Sequence, residues 1–149
     1  MNLTPLSEKH QGELTLAVSR ALGQWLPGPL GAPLEVVQGL ERVLLFLRQN
    51  GSPSPQARQV ASLAFCWGEQ LARSGGFHWA SVSEDATVNP SIVSDDEARA
   101  CMVVDAITTL VIEPQAMSLV ALYRSLQQGE LPEMPGCLSL ASSSPRKTD

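Results

Sequence analysis

Hydrophobic positions in the first half of the chain recur at helical spacing in three separate segments. They predict three helices, over about 4–25 with Pro5 in the first turn, over 33–49, and from the break at 52–55 to about residue 74. The second helix has the clearest pattern, with an apolar stripe from Leu34 to Leu47. Gly75 and Gly76 end the third helix.

The pattern changes after this glycine pair. Residues 77–82 are aromatic and then β-branched, which predicts a strand, and residues 91–93 predict a short second strand. Pro90 favours an edge position for the second strand, because proline cannot donate a ladder hydrogen bond. The polar stretch 83–89 is expected to be the loop between them.

Two more helices are predicted towards the C-terminus. The first spans about 95–112, with Ser94 and Glu97 as a capping box, although the β-branched residues at 107–112 leave a pair of strands as the alternative. The second spans about 114–128 and ends at Gly129. The predicted fold is therefore α+β and predominantly helical, with three N-terminal helices, a short two-stranded β element and two C-terminal helices; an all-α fold is the alternative.

Composition indicates one globular domain over residues 1–141, followed by a disordered tail at 142–149. The chain has 149 residues, of which 44% are hydrophobic and 17% charged. A net charge of -5 and dispersed arginines disfavour nucleic acid as a partner. We find no secretory signal and no membrane-spanning run, so we expect a cytoplasmic protein.

The residues around 67–79 carry a resemblance to known domains. The segments Trp67-Gly68-Glu69-Gln70-Leu71 and Gly75-Gly76-Phe77-His78-Trp79 resemble small bacterial domains of uncharacterised function, in which a helix with a Gly-Glu pair leads through glycine to a strand with a tryptophan. The resemblance covers the middle third of the chain. It implies an α+β unit with a short sheet and supplies no catalytic residue.

The sequence offers one set of residues that could form a catalytic site. Cys66 or Cys101 could act as a nucleophile if His78 served as its base. Cysteines in apolar helical runs are more often buried, so we expect reduced structural thiols in Cys66, Cys101 and Cys137. Glu69 is expected to face solvent, and no metal or cofactor motif is found.

A binding surface has two candidate components. Trp25 adjoins the proline-rich segment 27–33 and is the tryptophan expected to be most exposed, whereas Trp67 and Trp79 are expected in the core. The other component is a group of carboxylates that could gather near one loop edge: Glu84, Asp85, Asp95, Asp96 and Glu97. They would form a docking patch for a basic partner; the alternatives are a hard-cation site, whose order of ligands does not match an EF-hand, and a solvated loop with an acidic first helical turn.

We therefore expect a non-catalytic protein-binding module, of an inhibitory or immunity type that masks a bacterial toxin or enzyme. One alternative is a small Cys/His-dependent hydrolase or transferase. The other is an oligomeric scaffold, in which the Leu34–Leu47 stripe contacts a second copy.

Overall fold

The computed structural model describes residues 2–49, 56–84, 87–113 and 117–140. Within these ranges the chain forms five helices and five strands. In chain order they are β1 (Asn2–Thr4), α1 (Glu8–Trp25), α2 (Pro33–Gln49), α3 (Ala57–Ser74), β2 (Phe77–Glu84), β3 (Thr87–Ser94), β4 (Arg99–Met102), α4 (Val103–Ile112), α5 (Leu119–Gln127) and β5 (Cys137–Ser139). None of these helices has the length and apolar character needed to cross a bilayer. The predicted tail lies outside the described residues.

The strands form one antiparallel sheet in the order β1-β2-β3-β4-β5. The prediction of a two-stranded element was therefore wrong, as was the all-α alternative. Only β2 and β3 correspond to the predicted strands, and β3 begins at Thr87, inside the stretch predicted as a loop. β3 is an interior strand, so the edge position predicted from Pro90 was wrong; Pro90 is accommodated because β4 pairs only with residues 91–93 of β3.

The predicted helix over 95–112 is a helix only from Val103 onwards. Its first part contains β4, in which Ala100 packs on one face of the sheet and Cys101 on the other, and both are buried. A strand that is buried on both faces lacks the alternation of apolar and polar residues by which strands are recognised. The apolar residues of β4 therefore matched the helical spacing of α4, and the sequence predicted one continuous helix. Ser94 caps a hairpin turn instead of a helix, because its Oγ accepts the N–H of Arg99 at 3.0 Å.

The first and last strands of the described chain also differ from the prediction. Residues 2–4 pair with β2, and α1 starts at Glu8, with the Oγ of Ser7 accepting the N–H of His10 at 3.1 Å. Ser7 and Thr4 are both acceptable N-cap residues, and pairing of Thr4 with the sheet selects Ser7. β5 was not predicted, because three residues carry too little pattern.

α2 has the predicted bounds, and its apolar stripe is buried within the chain. The buried members of the stripe and its flank are Val36, Val37, Leu40, Leu44 and Leu47. They belong to the main core, and Leu34 is partly buried against it, so most of the stripe is used within the chain.

α3 lies at the centre of the fold and contacts α1, α2, α4 and the sheet. Trp67 is fully buried, and its indole Nε1 donates to the carbonyl of Leu119 at 3.1 Å. The next residue, Gly68, faces the ring of Trp79 on β2, where a Cβ atom would lie 2.7 Å from the ring. Glycine is required for this close approach of helix and sheet, and the approach determines the position of Glu69.

Candidate functional site

A groove opens on the helical side of the molecule between α1, the connection that follows it, and α3. Its volume is about 320 Å³. The lining is mainly apolar with a few polar groups: Thr15, Val18, Ser19, Leu22, Gly23, Leu26, Gly28, Leu30, Glu69 and Arg73. We call this feature the α1–α3 groove. An apolar concavity with one carboxylate and one guanidinium has the composition of a binding site.

The carboxylate of Glu69 is held in place by the neighbouring sheet. The indole Nε1 of Trp79 donates to its Oε1 at 2.9 Å, and the ring of Trp79 also packs edge-on against Phe65 with centroids 6.4 Å apart. Glu69 is half-buried at the wall of the groove, whereas the sequence predicted only a side chain that faces solvent. The other oxygen, Oε2, has no hydrogen-bond partner among the described residues. The groove therefore contains a fixed acceptor with unused hydrogen-bonding capacity.

The guanidinium of Arg73 is anchored by two hydrogen bonds to the protein itself. Nη1 donates to the side-chain oxygen of Gln70, and Nη2 donates to the carbonyl of Gly31 at 3.0 Å. Among the described residues Arg73 has no carboxylate partner, although Glu69 lies one helical turn away. Arg73 thus fixes the connection from which Leu30 projects into the wall of the groove.

Trp25 is half-buried and lines two shallow cavities. One cavity lies against the connection and α2 and includes Glu35 and Arg42; the other lies between α1 and α3 and includes Arg20 and Arg58. Trp25 does not line the α1–α3 groove. Its side chain packs partly against the main core, which accounts for its incomplete exposure.

The described residues of the predicted carboxylate patch lie at two separate places on the sheet. Glu84 ends β2 at one end of the β2–β3 hairpin, next to Asp85, which lies outside the described residues. Asp95, Asp96 and Glu97 form the turn at the opposite end, where Phe77 pairs with Ser94. Eight-residue strands separate the two groups by roughly 20 Å.

The turn carboxylates satisfy local hydrogen bonds. Asp95 Oδ1 lies 2.8 Å from His78 Nδ1. Asp96 accepts hydrogen bonds from the Ser94 hydroxyl and from the N–H of Ala98. Both bonds lower the pKa of Asp96, and the bond from Ser94 has the larger effect. Glu97 adopts a left-handed conformation with φ of 59°. These contacts are those of a hairpin turn.

The cysteines and His78 do not come together. His78 pairs in register with Val93, on the sheet face opposite to Trp79 and Cys101. Cys66 is fully buried against α1, with Sγ 3.9 Å from the carbonyl of Val18, and desolvation, followed by the charge of Glu69, raises its pKa to about 12. A buried neutral thiol without a neighbouring base is a weak nucleophile. Within the described ranges no group of three or more His, Cys, Asp or Glu side chains could hold a metal ion.

Sequence reasoning missed Glu69 as a site residue, although its signal was present. A glycine inside a helix, followed by glutamate and then ten residues later by a tryptophan in a strand, is the pattern that packs Trp79 on Gly68 and leaves its N–H for Glu69. No protein-family model, no curated protein and no solved structure gives a significant match to this chain. The resemblance to small bacterial α+β domains stays a prediction, and the chain's own geometry is the basis for assigning its function.

Proposed function

We propose that the chain is a non-catalytic protein-binding module that accepts a basic side chain of a partner protein in the α1–α3 groove. The observation that carries the proposal is the carboxylate of Glu69, which Trp79 fixes at the wall of an apolar concavity. A preorganised carboxylate binds a cation without first losing side-chain freedom. An inhibitory or immunity-type role towards a basic toxin or enzyme is the biological form that this binding would take.

Charge favours a cation as the occupying group. Oε2 of Glu69 has no hydrogen-bond partner among the described residues, and Arg73, whose guanidinium is anchored to Gln70 and Gly31, does not pair with it. The chain as a whole carries a net charge of -5, which attracts a basic partner over distances of about a Debye length. A lysine or arginine that reaches Oε2 would form a charge-assisted hydrogen bond in a partly desolvated position.

The apolar walls favour a side chain with a hydrocarbon stem. Leu22, Leu26 and Leu30 line the groove, and a volume of about 320 Å³ lies at the small end of the range for ligand sites. Arginine and lysine bury their aliphatic stems while presenting the charge, so they fit such walls better than a compact cation.

The rim extends the surface beyond a single side chain. Leu30 on one side remains about half exposed. Leu16 is equally exposed and lies on the part of α1 that shares Thr15 and Ser19 with the groove. Exposed leucines around a polar anchor are typical of a protein interface more than of a small-molecule site.

Selection of peptides tests the proposal. A random peptide library displayed on phage is selected on the immobilised protein, and Kd values of the enriched peptides are measured by fluorescence anisotropy. We expect enrichment of arginine or lysine flanked by apolar residues. Glu69→Gln should weaken binding about tenfold or more, because hydrogen bonds to charged groups contribute about 1.5–3 kcal/mol.

Two further variants make the result specific. Glu133→Gln removes the same charge from an exposed position outside the groove and should leave Kd unchanged. Leu30→Ser alters the rim at a half-exposed position, so it should weaken binding without moving the urea midpoint. Enrichment of peptides without basic residues would overturn the proposal, and so would equal Kd values for the Glu69 and Glu133 variants. If Glu69→Gln fails to fold, an unchanged Kd for Leu30→Ser would overturn it.

A further inference from the structure

Two cysteines face each other across the last two strands of the sheet. Cys101 in β4 and Cys137 in β5 are register partners. The N–H of Met102 donates to the carbonyl of Gly136 at 2.8 Å, which places the cysteine pair at a non-hydrogen-bonded position of the ladder. Cα atoms at such positions lie about 4.5 Å apart, inside the roughly 4.4–6.8 Å that disulfides span. Both thiols are free in this structure.

The two thiols differ in exposure and acidity. Cys101 is 1% exposed, whereas Cys137 is only half-buried. Hydrogen bonding between the two sulfurs lowers the pKa of Cys137, while the same bond, desolvation and nearby charge raise that of Cys101. Cys137 is therefore the more acidic and the more accessible of the two cysteines, and Cys101 is buried beside it.

The backbone on the Cys137 side is held close to α4. Gly136 has a φ of 93°, and a Cβ there would lie 2.8 Å from the N–H nitrogen of Ala106 and 2.9 Å from the carbonyl oxygen of Met102. Only glycine fits this position. This close packing holds the Cys137 side of β5 against β4 and α4, where Cys137 is the register partner of Cys101.

We propose that Cys101 and Cys137 are a peroxide-sensitive site at which a reversible disulfide joins β4 to β5. The Cys137 thiolate attacks one oxygen of hydrogen peroxide, the O–O bond breaks, and the departing hydroxide takes a proton to form water. Cys101 then attacks the resulting sulfenic sulfur, so that the S–S bond forms as the S–O bond breaks. The second hydroxide leaves with the Cys101 proton, and two thiols and one peroxide become one disulfide and two waters.

Oxidation would secure the edge of the sheet. β5 has three residues and, among the described strands, pairs with β4 alone, so its attachment is short. A cross-link between residues 101 and 137 removes conformational freedom from the unfolded chain and retains β5 on the sheet. This inference does not depend on the groove, because neither cysteine lines it.

Mass spectrometry under non-reducing conditions tests the site. The reduced protein is treated with hydrogen peroxide, its remaining thiols are alkylated, and its peptides are mapped. We expect the loss of two hydrogens per chain, a peptide that joins Cys101 to Cys137, and a Cys66 that is recovered in the alkylated, non-oxidised form and serves as the buried internal control. Reduced glutathione in excess should restore both thiols.

Single variants identify the order of attack. Cys101→Ala should leave a sulfenic acid at Cys137 that a dimedone probe labels, whereas Cys137→Ala should leave Cys101 unlabelled. Absence of the linked peptide, a link through Cys66, or a link between chains would overturn the proposal. The peptide map of the oxidised wild-type protein shows whether the Cys101–Cys137 disulfide forms even if a variant fails to fold.

Discussion

The contact between Gly68 and Trp79 gives the most quantitative prediction. A Cβ at residue 68 would lie 2.7 and 3.1 Å from two ring atoms of Trp79 and 3.1 Å from a methyl group of Val103. Carbon atoms pack at about 3.5–4.0 Å, so Gly68→Ala must displace the ring by roughly 1 Å. Overpacking of this kind costs about 1–3 kcal/mol, and the gain in helix propensity returns about 0.5–1 kcal/mol.

Gly12→Ala provides the matched control. Gly12 lies inside α1 with no neighbour within 4 Å of an added Cβ, so this variant should gain about 0.5–1 kcal/mol. Urea unfolding followed by circular dichroism should therefore show Gly68→Ala less stable than Gly12→Ala by about 1–3 kcal/mol. The same change in unfolding free energy in both variants would refute the close packing of α3 on β2, and with it the support for Glu69.

Three other predictions concern single side chains. Ser7→Ala removes the α1 cap and should lower the free energy of unfolding by about 1 kcal/mol, whereas an unchanged urea midpoint would place the cap elsewhere. Arg48 donates from Nε to the carbonyl of Leu110 at 2.7 Å and from Nη2 to that of Met117 at 3.3 Å, so Arg48→Met should lose about 1–3 kcal/mol, and wild-type stability would contradict these bonds. Burial raises the pKa of Cys66 from 9.0 to about 12, so the unfolded thiol ionises first as the pH rises. The stability advantage of the wild type over Cys66→Ala should therefore shrink from pH 9.0 towards about 12, and a constant difference would contradict this.

The local sequence pattern was sufficient to predict an element where that element is amphipathic and where proline or glycine marks its ends. α2 has a continuous apolar stripe between proline and the Asn50-Gly51 pair, and its bounds agree with the prediction. α3 likewise ends at the predicted glycine pair. In such segments the helical period is distinct from the strand period, so a single sequence decides between them.

Local pattern failed where burial removes the alternation or where the element is short. β4 is buried on both faces, and β1 and β5 have three residues each, so these strands depend on pairing with distant segments. The turn at 95–97 was predicted as the start of a helix for a different reason, because serine and aspartate favour helix caps and hairpin turns alike. Glu69 could not be recognised as a site residue, since its role depends on Trp79 across the helix–sheet contact.

The indole N–H signals of the tryptophans test the central claim most directly. The proton on Nε1 of Trp79 bonds the carboxylate proposed to receive the partner, whereas that of Trp67 bonds the buried carbonyl of Leu119 and reports on the core. In a ¹⁵N heteronuclear NMR titration with a selected basic peptide, we predict a saturable shift of the Trp79 signal and an unchanged Trp67 signal, with the Trp79 shift lost in Glu69→Gln. Saturable binding that leaves the Trp79 signal in place would show that the partner binds elsewhere, and the proposed role of the groove would be wrong.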